Sequence, residues 1–135
     1  MAMFNPSAST GLVLLIARLM MATEFVVFGA LKIPNHATMQ LYMERHGVPG
    51  GLIWPALVLQ LVAGLMVAAG AFTRLAALSL VGFCLVATAL FHFNLSDLGQ
   101  VSDLTKDLAT AGGLLLLAVM GAGPLSVDGA IRRKA

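Results

Sequence analysis

Charged side chains are scarce in this chain. Asp, Glu, Lys and Arg make up 10% of its 135 residues, against about 25% in a typical soluble domain. With 59% of the residues apolar, too little polar surface remains to cover a globule in water, and a water-soluble fold would expose large apolar patches. An ordinary soluble protein, a disordered tail and a nucleic-acid-binding module are thereby excluded. Cysteine is almost missing as well: Cys84 stands alone, so an internal disulfide, a CxxC redox pair and a thiolate metal cage are all impossible. Histidine is too sparse for a haem. His36 and His46 fall on a connection and His92 is alone, so no metal site is expected. The net charge is +2, and the one concentrated basic stretch is Arg132-Arg133-Lys134.

Long apolar runs are what the chain has instead. A membrane-crossing helix needs about 20 mostly apolar residues. Residues 11–31 and 52–71 meet that length, and 75–93 nearly does. A fourth run, 108–123, is short at roughly 24 Å of helix, and extending it back to about 104 puts Lys106 and Asp107 at the interface. The expected architecture is all-α: an integral-membrane four-helix bundle, one domain over 1–135, with helices at about 11–31, 52–71, 75–93 and 104–123. The first run is read as a retained helix rather than a cleaved leader, because no Lys or Arg precedes Arg18 and two charges interrupt the apolar stretch.

The punctuation agrees. Gly70 and the short segment 71–74 make helices two and three antiparallel neighbours, Pro55 falls in a first turn where a missing N–H costs little, and Gly121, Gly123 and Pro124 close helix four. Between helices one and two, Asn35 is positioned to cap a short helix over 36–46 that Gly47 and Pro49 end. Met39, Tyr42, Met43 and His46 share one face of it, the pattern of a helix lying on the bilayer surface, or equally of a plain helical connector. Gly64–Ala68 and Ala109–Gly113 are small-residue pairs that allow close helix approach, inside the bundle or in a homo-oligomer.

Ionisable groups inside a membrane are expensive, at least about 2.5–3.5 kcal/mol near the centre unless paired or hydrated. Arg18 and Glu24 lie inside helix one, separated by roughly 9 Å along the axis and about 120° around it, so each needs a partner elsewhere. Gln60, Ser79 and Thr88 are candidates. Arg18, Phe25, Gly29 and Lys32 form one stripe. Glu24, Lys32, Gln60, His92 and Lys106 are expected to line a pocket in the half of the membrane away from the termini. Arg18 and Glu24 read equally well as polar glue between helices, and Lys32 and Lys106 as snorkelling side chains at helix ends.

These residues together resemble a known pattern: Arg18…Phe25…Gly29…Lys32, then Gly47-Val48-Pro49, the junction Thr73-Arg74-Leu75-Ala76, Phe91-His92, and the stretch from Lys106 to Leu115. From about Leu12 to Asp128 the chain is similar to the DoxX family of small bacterial inner-membrane proteins, and within it to the YphA-like members. The resemblance implies a four-helix membrane protein. It also implies a link to quinone chemistry or oxidative-stress responses, since some members are subunits of thiosulfate:quinone oxidoreductase. Many members carry a Glu in helix two where this chain has Gln60, which leaves Glu24 as the carboxylate able to take up a proton role.

Three functions are consistent with the sequence. One is a membrane subunit of a quinone-linked redox system. Arg18, Lys32, Gln60, His92 and Lys106 are then ligand-binding candidates, Glu24 is the candidate catalytic carboxylate, and a partner protein supplies the redox cofactor. Another is a non-catalytic assembly subunit. The last is a small proton-coupled transporter, which Trp54 and Tyr42 fit poorly because both fall near an interface. The basic tail places both termini in the cytoplasm. The count is four basic residues on that side (Arg74, Arg132, Arg133, Lys134) against three on the other (Lys32, Arg45, Lys106). A cytoplasm-dependent fluorescent reporter fused after Lys134 should glow, and an export-dependent phosphatase inserted within 94–102 should be active; a tail reporter active only after export would reverse the topology.

Overall fold

Ser7 starts the first helix by accepting a hydrogen bond on its side-chain oxygen from the Thr10 amide (3.4 Å), one of the donors a helix start leaves unsatisfied. From there α1 runs Ala8–Lys32. It is followed by α2 (His36–Arg45), a single 3₁₀ turn (Gly50–Leu52), α3 (Ile53–Ala69), α4 (Thr73–Phe91), α5 (Leu98–Met120) and α6 (Val127–Lys134). This is a computed structural model that describes residues 7–135. Residues 1–6, which open the expected domain range, lie outside the described residues. Helices one to four of the sequence reading are α1, α3, α4 and α5, and no strand occurs among the described residues.

Three stretches are long and apolar enough to cross a membrane: Ala8–Lys32, Gly50–Ala69 and Thr73–Phe91. At 23 residues, α5 is about 35 Å long, but Asp103, Lys106 and Asp107 make its first half too polar to stand with those three. It also starts at Leu98, earlier than the expected 104. Apolarity set the expected boundary, whereas the helix begins at a cap: the Asp97 carboxylate accepts from the Gly99 amide at 2.9 Å, and the polar turns that follow are helical all the same. The tail helix α6 was not expected. It starts where the Ser126 hydroxyl accepts from the Gly129 amide at 3.0 Å.

Packing follows chain order. The closely packed pairs are α1 with α3, α3 with α4 and α4 with α5, while α1 and α5 approach each other along a much shorter stretch. The core is built from small and medium side chains, Ala22 and Phe25 of α1, Ala63 and Val67 of α3, Ala77 and Leu80 of α4 and Leu114 of α5. Small residues let the helix axes close in. A Cβ on Gly64 would meet the Phe25 Cβ at 3.0 Å. The outward faces are as apolar as the core, with Val13, Met20, Leu65, Leu85 and Leu116 all exposed. That is the arrangement expected where lipid is the solvent. At one end α2 packs a second small core of Met43, Val48 and Ile53 against Phe91. Asn35 does not cap α2; its side-chain amide donates back to the Leu31 carbonyl at 2.8 Å.

The opposite, termini-bearing end is tied by one cation. Arg18 is fully buried. Its Nη1 donates to the carbonyls of Val67 (3.3 Å) and Ala68 (3.0 Å), and its Nη2 to that of Leu125. Val67 and Ala68 are in the last turn of α3, whose carbonyls a helix leaves without partners and whose partial negative charge favours a cation. Gly70 makes the contact possible. It sits at φ +71°, and a Cβ there would run into Arg18 Nη1 and Ser126 Cβ. Beside this knot Asp128 caps α4 from 55 residues away, accepting from the Phe72 amide (2.9 Å), the Thr73 amide (3.0 Å) and the Thr73 hydroxyl (2.7 Å).

Burial pushes the Asp128 carboxyl upward. The Thr73 and Phe72 hydrogen bonds and the Arg132 charge outweigh it, so the group lies below the usual carboxylate range. A carboxyl with a depressed folded pKa stabilises above its unfolded value, about 3.9, and that contribution is lost as pH falls through the lower folded value. Thermal unfolding in mild detergent tests both ties. Arg18→Leu removes the side-chain donor from the Ala68 and Leu125 carbonyls and one of the two donors from Val67, and should cost about 2 kcal/mol. Asp128→Asn should lower stability at neutral pH and flatten its decline below about pH 4; an unchanged acid limb would remove Asp128 as its source.

Candidate functional site

Toward the α2 end, polar side chains from four helices meet inside the bundle. Lys32 is the last residue of α1, and helical side chains lean toward the N-terminus of their helix. It therefore reaches back into the bundle, donating from Nζ to Gln60 Oε1 of α3 at 2.6 Å, with Nζ 5.4 Å from the Phe83 ring centroid of α4. Glu24 lies half-buried on α1, and its Oε2 accepts from the Thr110 hydroxyl of α5 at 2.8 Å. Between α4 and α5, the Thr88 hydroxyl donates to Asp107 Oδ2 at 2.9 Å. Cys84 is buried one turn below Thr88.

His92 closes the α4 side. Its Nδ1 is 3.8 Å from Asp103 Oδ2 and its Nε2 3.9 Å from Asp107 Oδ2. Both distances are too long for hydrogen bonds. His92 Nδ1 is buried and has no hydrogen-bond partner among the described residues. Lys106 pairs with Asp103 at 3.0 Å and is 65% exposed, which puts it at the rim. Over this end lies α2, where Tyr42 packs 4.4 Å from the His46 ring and 5.5 Å from that of Phe91. Burial, and then the charges of Asp103 and Asp97, push the Tyr42 hydroxyl above its ordinary value, so it stays a donor at neutral pH.

Of the candidates drawn from the sequence, Lys32, Gln60, Glu24 and His92 thus lie in this half of the bundle, with Lys106 at its edge. Arg18 is not among them, because the carbonyls it serves are at the other end. The expected partners are also redistributed. Gln60 serves Lys32 rather than Arg18 or Glu24, and Ser79 donates back to Leu75 of its own helix at 2.9 Å. Sequence reasoning passed over Asp107 and Thr110 as site residues. A signal was there: Asp103, Asp107 and Thr110 recur at i, i+4 and i+7, one helix face, and Thr88 and His92 recur at i, i+4 on the helix joined to it by a short connection.

The cluster can donate from Lys32, His92 and Tyr42. Its acceptors are the carboxylates of Glu24 and Asp107. No group of three or more His, Cys, Asp or Glu side chains is placed to hold a metal among the described residues.

The model of the DoxX family matches residues 13–93. The chain belongs to the DoxX family. Two Escherichia coli (strain K12) relatives match almost end to end. One is described as inner membrane protein YqjF, 38% identical over 120 residues that span 89% of this chain and 92% of that one. The other is inner membrane protein YphA, 28% identical over 132 residues, 93% and 94% of the two chains. No solved structure matches the chain. The DoxX match takes in Glu24, Lys32, Gln60, Thr88 and His92 and stops before α5, which brings the acidic face that completes the cluster.

A double-mutant cycle checks that α4 and α5 are joined there. Thr88→Val and Asp107→Ala, melted singly and together, should return a coupling of the order of 1 kcal/mol; additive losses would mean that the two side chains do not act on each other.

Proposed function

We propose that this chain is an integral inner-membrane subunit or accessory of a quinone-linked redox system, and that the polar cluster near α2 takes a quinone or a similar small apolar carbonyl compound. In this reading α5 is the fourth span, α2 lies at the interface and both termini face the cytoplasm. The inner-membrane descriptions of YqjF and YphA support the location.

The observation that carries the ligand class is His92 Nδ1, a buried ring nitrogen with no partner of its own among the described residues. A buried unpaired nitrogen is costly, and with the ring proton on Nδ1 a ligand carbonyl that accepts from it removes that cost. Lys32, 2.6 Å from Gln60, is a second donor for the same class of ligand. Reduction of a quinone to a quinol takes up two electrons and two protons. A redox group on a partner protein gives the electrons. His92 and Glu24 give the protons, and the rim pair Asp103–Lys106 connects them to water. Glu24 lies where α1 and α5 meet along only a short stretch, and in this reading an apolar ligand enters laterally from the bilayer along that edge.

A second reading has its own observation. Glu24, Lys32 and Asp107 each already hold a partner within the chain, which is what an assembly subunit held together by polar contacts needs. Glu24→Gln separates the two. Glutamine keeps an oxygen for Thr110 but cannot titrate. Quinone binding should survive while quinone-dependent turnover with the native partner falls at least tenfold, and His92→Ala should weaken binding itself. Wild-type protein that binds no quinone, together with a deletion that changes no redox phenotype, would leave the assembly role.

A further inference from the structure

At the termini-bearing end, where α3, α4 and α5 all reach their ends, the chain leaves a pocket of about 270 Å³ between Phe72, Arg74, Gly121 and Arg132, with Asp128 on one wall. Two guanidinium groups from different elements turn toward the same point. A Cβ built on Gly121 would lie 3.7 Å from Arg132 Nη2 and 3.9 Å from Arg74 Nη2. Gly121 has no such atom, and its φ of +82° disfavours residues that do.

Like charges drawn together want an anion between them. Neither arginine is ion-paired among the described residues. Asp128, the carboxylate in the wall, already accepts three hydrogen bonds from Phe72 and Thr73, so it offsets the positive charge only in part. Planar guanidinium forks match phosphate oxygens in pairs.

The pocket does not end in water on every side. Leu75 lines it and also lines a groove of about 510 Å³ that runs along α3 and α4 between Val58, Val62, Met66 and Ser79. Apart from Ser79, whose hydroxyl is turned back onto Leu75 O, that groove is apolar and faces outward from the bundle. A charged pocket at the depth of the helix ends and an apolar groove toward the middle of the spans, with Leu75 in the lining of both, have the shape of a headgroup with its chain.

We infer that Arg74 and Arg132 clasp the phosphate of an anionic phospholipid, one acyl chain of which lies in the α3–α4 groove. The chemistry shared with a free phosphate ion is the guanidinium clasp, and the groove is what selects the lipid. Basic pockets between membrane helices are known to hold lipid headgroups in this way.

The test uses the full chain in neutral detergent, with phosphatidylglycerol, phosphatidylcholine or inorganic phosphate added, read by thermal unfolding and by lipid retained in native mass spectrometry. Phosphatidylglycerol should raise the melting temperature by several degrees and remain bound, and phosphatidylcholine should do neither. R74Q/R132Q should weaken the effect at least tenfold, Val62→Trp should weaken it by obstructing the groove, and Lys134→Gln should leave it unchanged. The single variants Arg74→Gln and Arg132→Gln, melted without lipid, guard against a folding defect in the double variant. Equal responses to the two lipids, or an undiminished response in R74Q/R132Q with its fold intact, would overturn the proposal. Inorganic phosphate that reproduces the stabilisation at millimolar concentration would overturn the lipid in favour of the soluble ion.

Discussion

A guanidinium withdrawn from solvent needs acceptors, and Arg18 finds them in the backbone for both terminal nitrogens, while its Nε has none among the described residues. Its two terminal nitrogens serve carbonyls of the last turn of α3 and of Leu125, in the segment after α5. Three parts of the chain far apart in sequence are thereby held at one place. The rest of that end is arranged around the contact: Gly70 leaves the space, and Asp128 sits beside it as the cap of α4 while its own amide donates to Gly70 O at 2.9 Å. Carbonyl acceptors fix direction as well as distance, so this knot sets the height of α1 against α3. Through that register it sets which residues meet at the other end.

The other end is built on different terms. Its charges are tied mostly to side chains, by single contacts. Glu24 with Thr110, Lys32 with Gln60 and Thr88 with Asp107 each join a different pair of helices. His92 stands between two carboxylates without bonding to either. One end of the bundle is thus held by backbone carbonyls and the other by single contacts between polar side chains, and it is the second that α2 covers.

The charged pocket over Gly121 belongs to neither purpose. It lies on the termini side of the Arg18 knot and opens outward, and its arginines make no ion pair among the described residues. Their convergence depends on α6, which returns the tail to the α3–α4 turn.

The sequence by itself determined the membrane, the number of long helices, the short helix over 36–45 and the inward stripe Arg18, Phe25, Gly29 and Lys32. Each follows from local quantities, namely apolar length, helical periodicity and the cost of a charge in lipid. Helix ends were less legible where their signal was distant or polar. Asp128 caps α4 from 55 residues away, and α5 starts at Leu98 because a capping Asp97, not apolarity, begins it. Partners were illegible for the same reason. Gln60 was as plausible for Glu24 as for Arg18 until the register of α1 against α3 gave it to Lys32, and Arg18 could be assigned to the other half until the tail came back to meet it. The face of Asp103, Asp107 and Thr110 was present as a spacing, but only packing turned it toward Thr88 and His92. Which polar groups share a site is decided by the rotation and height of each helix against its neighbours, and those are properties of the packed bundle, not of any one segment.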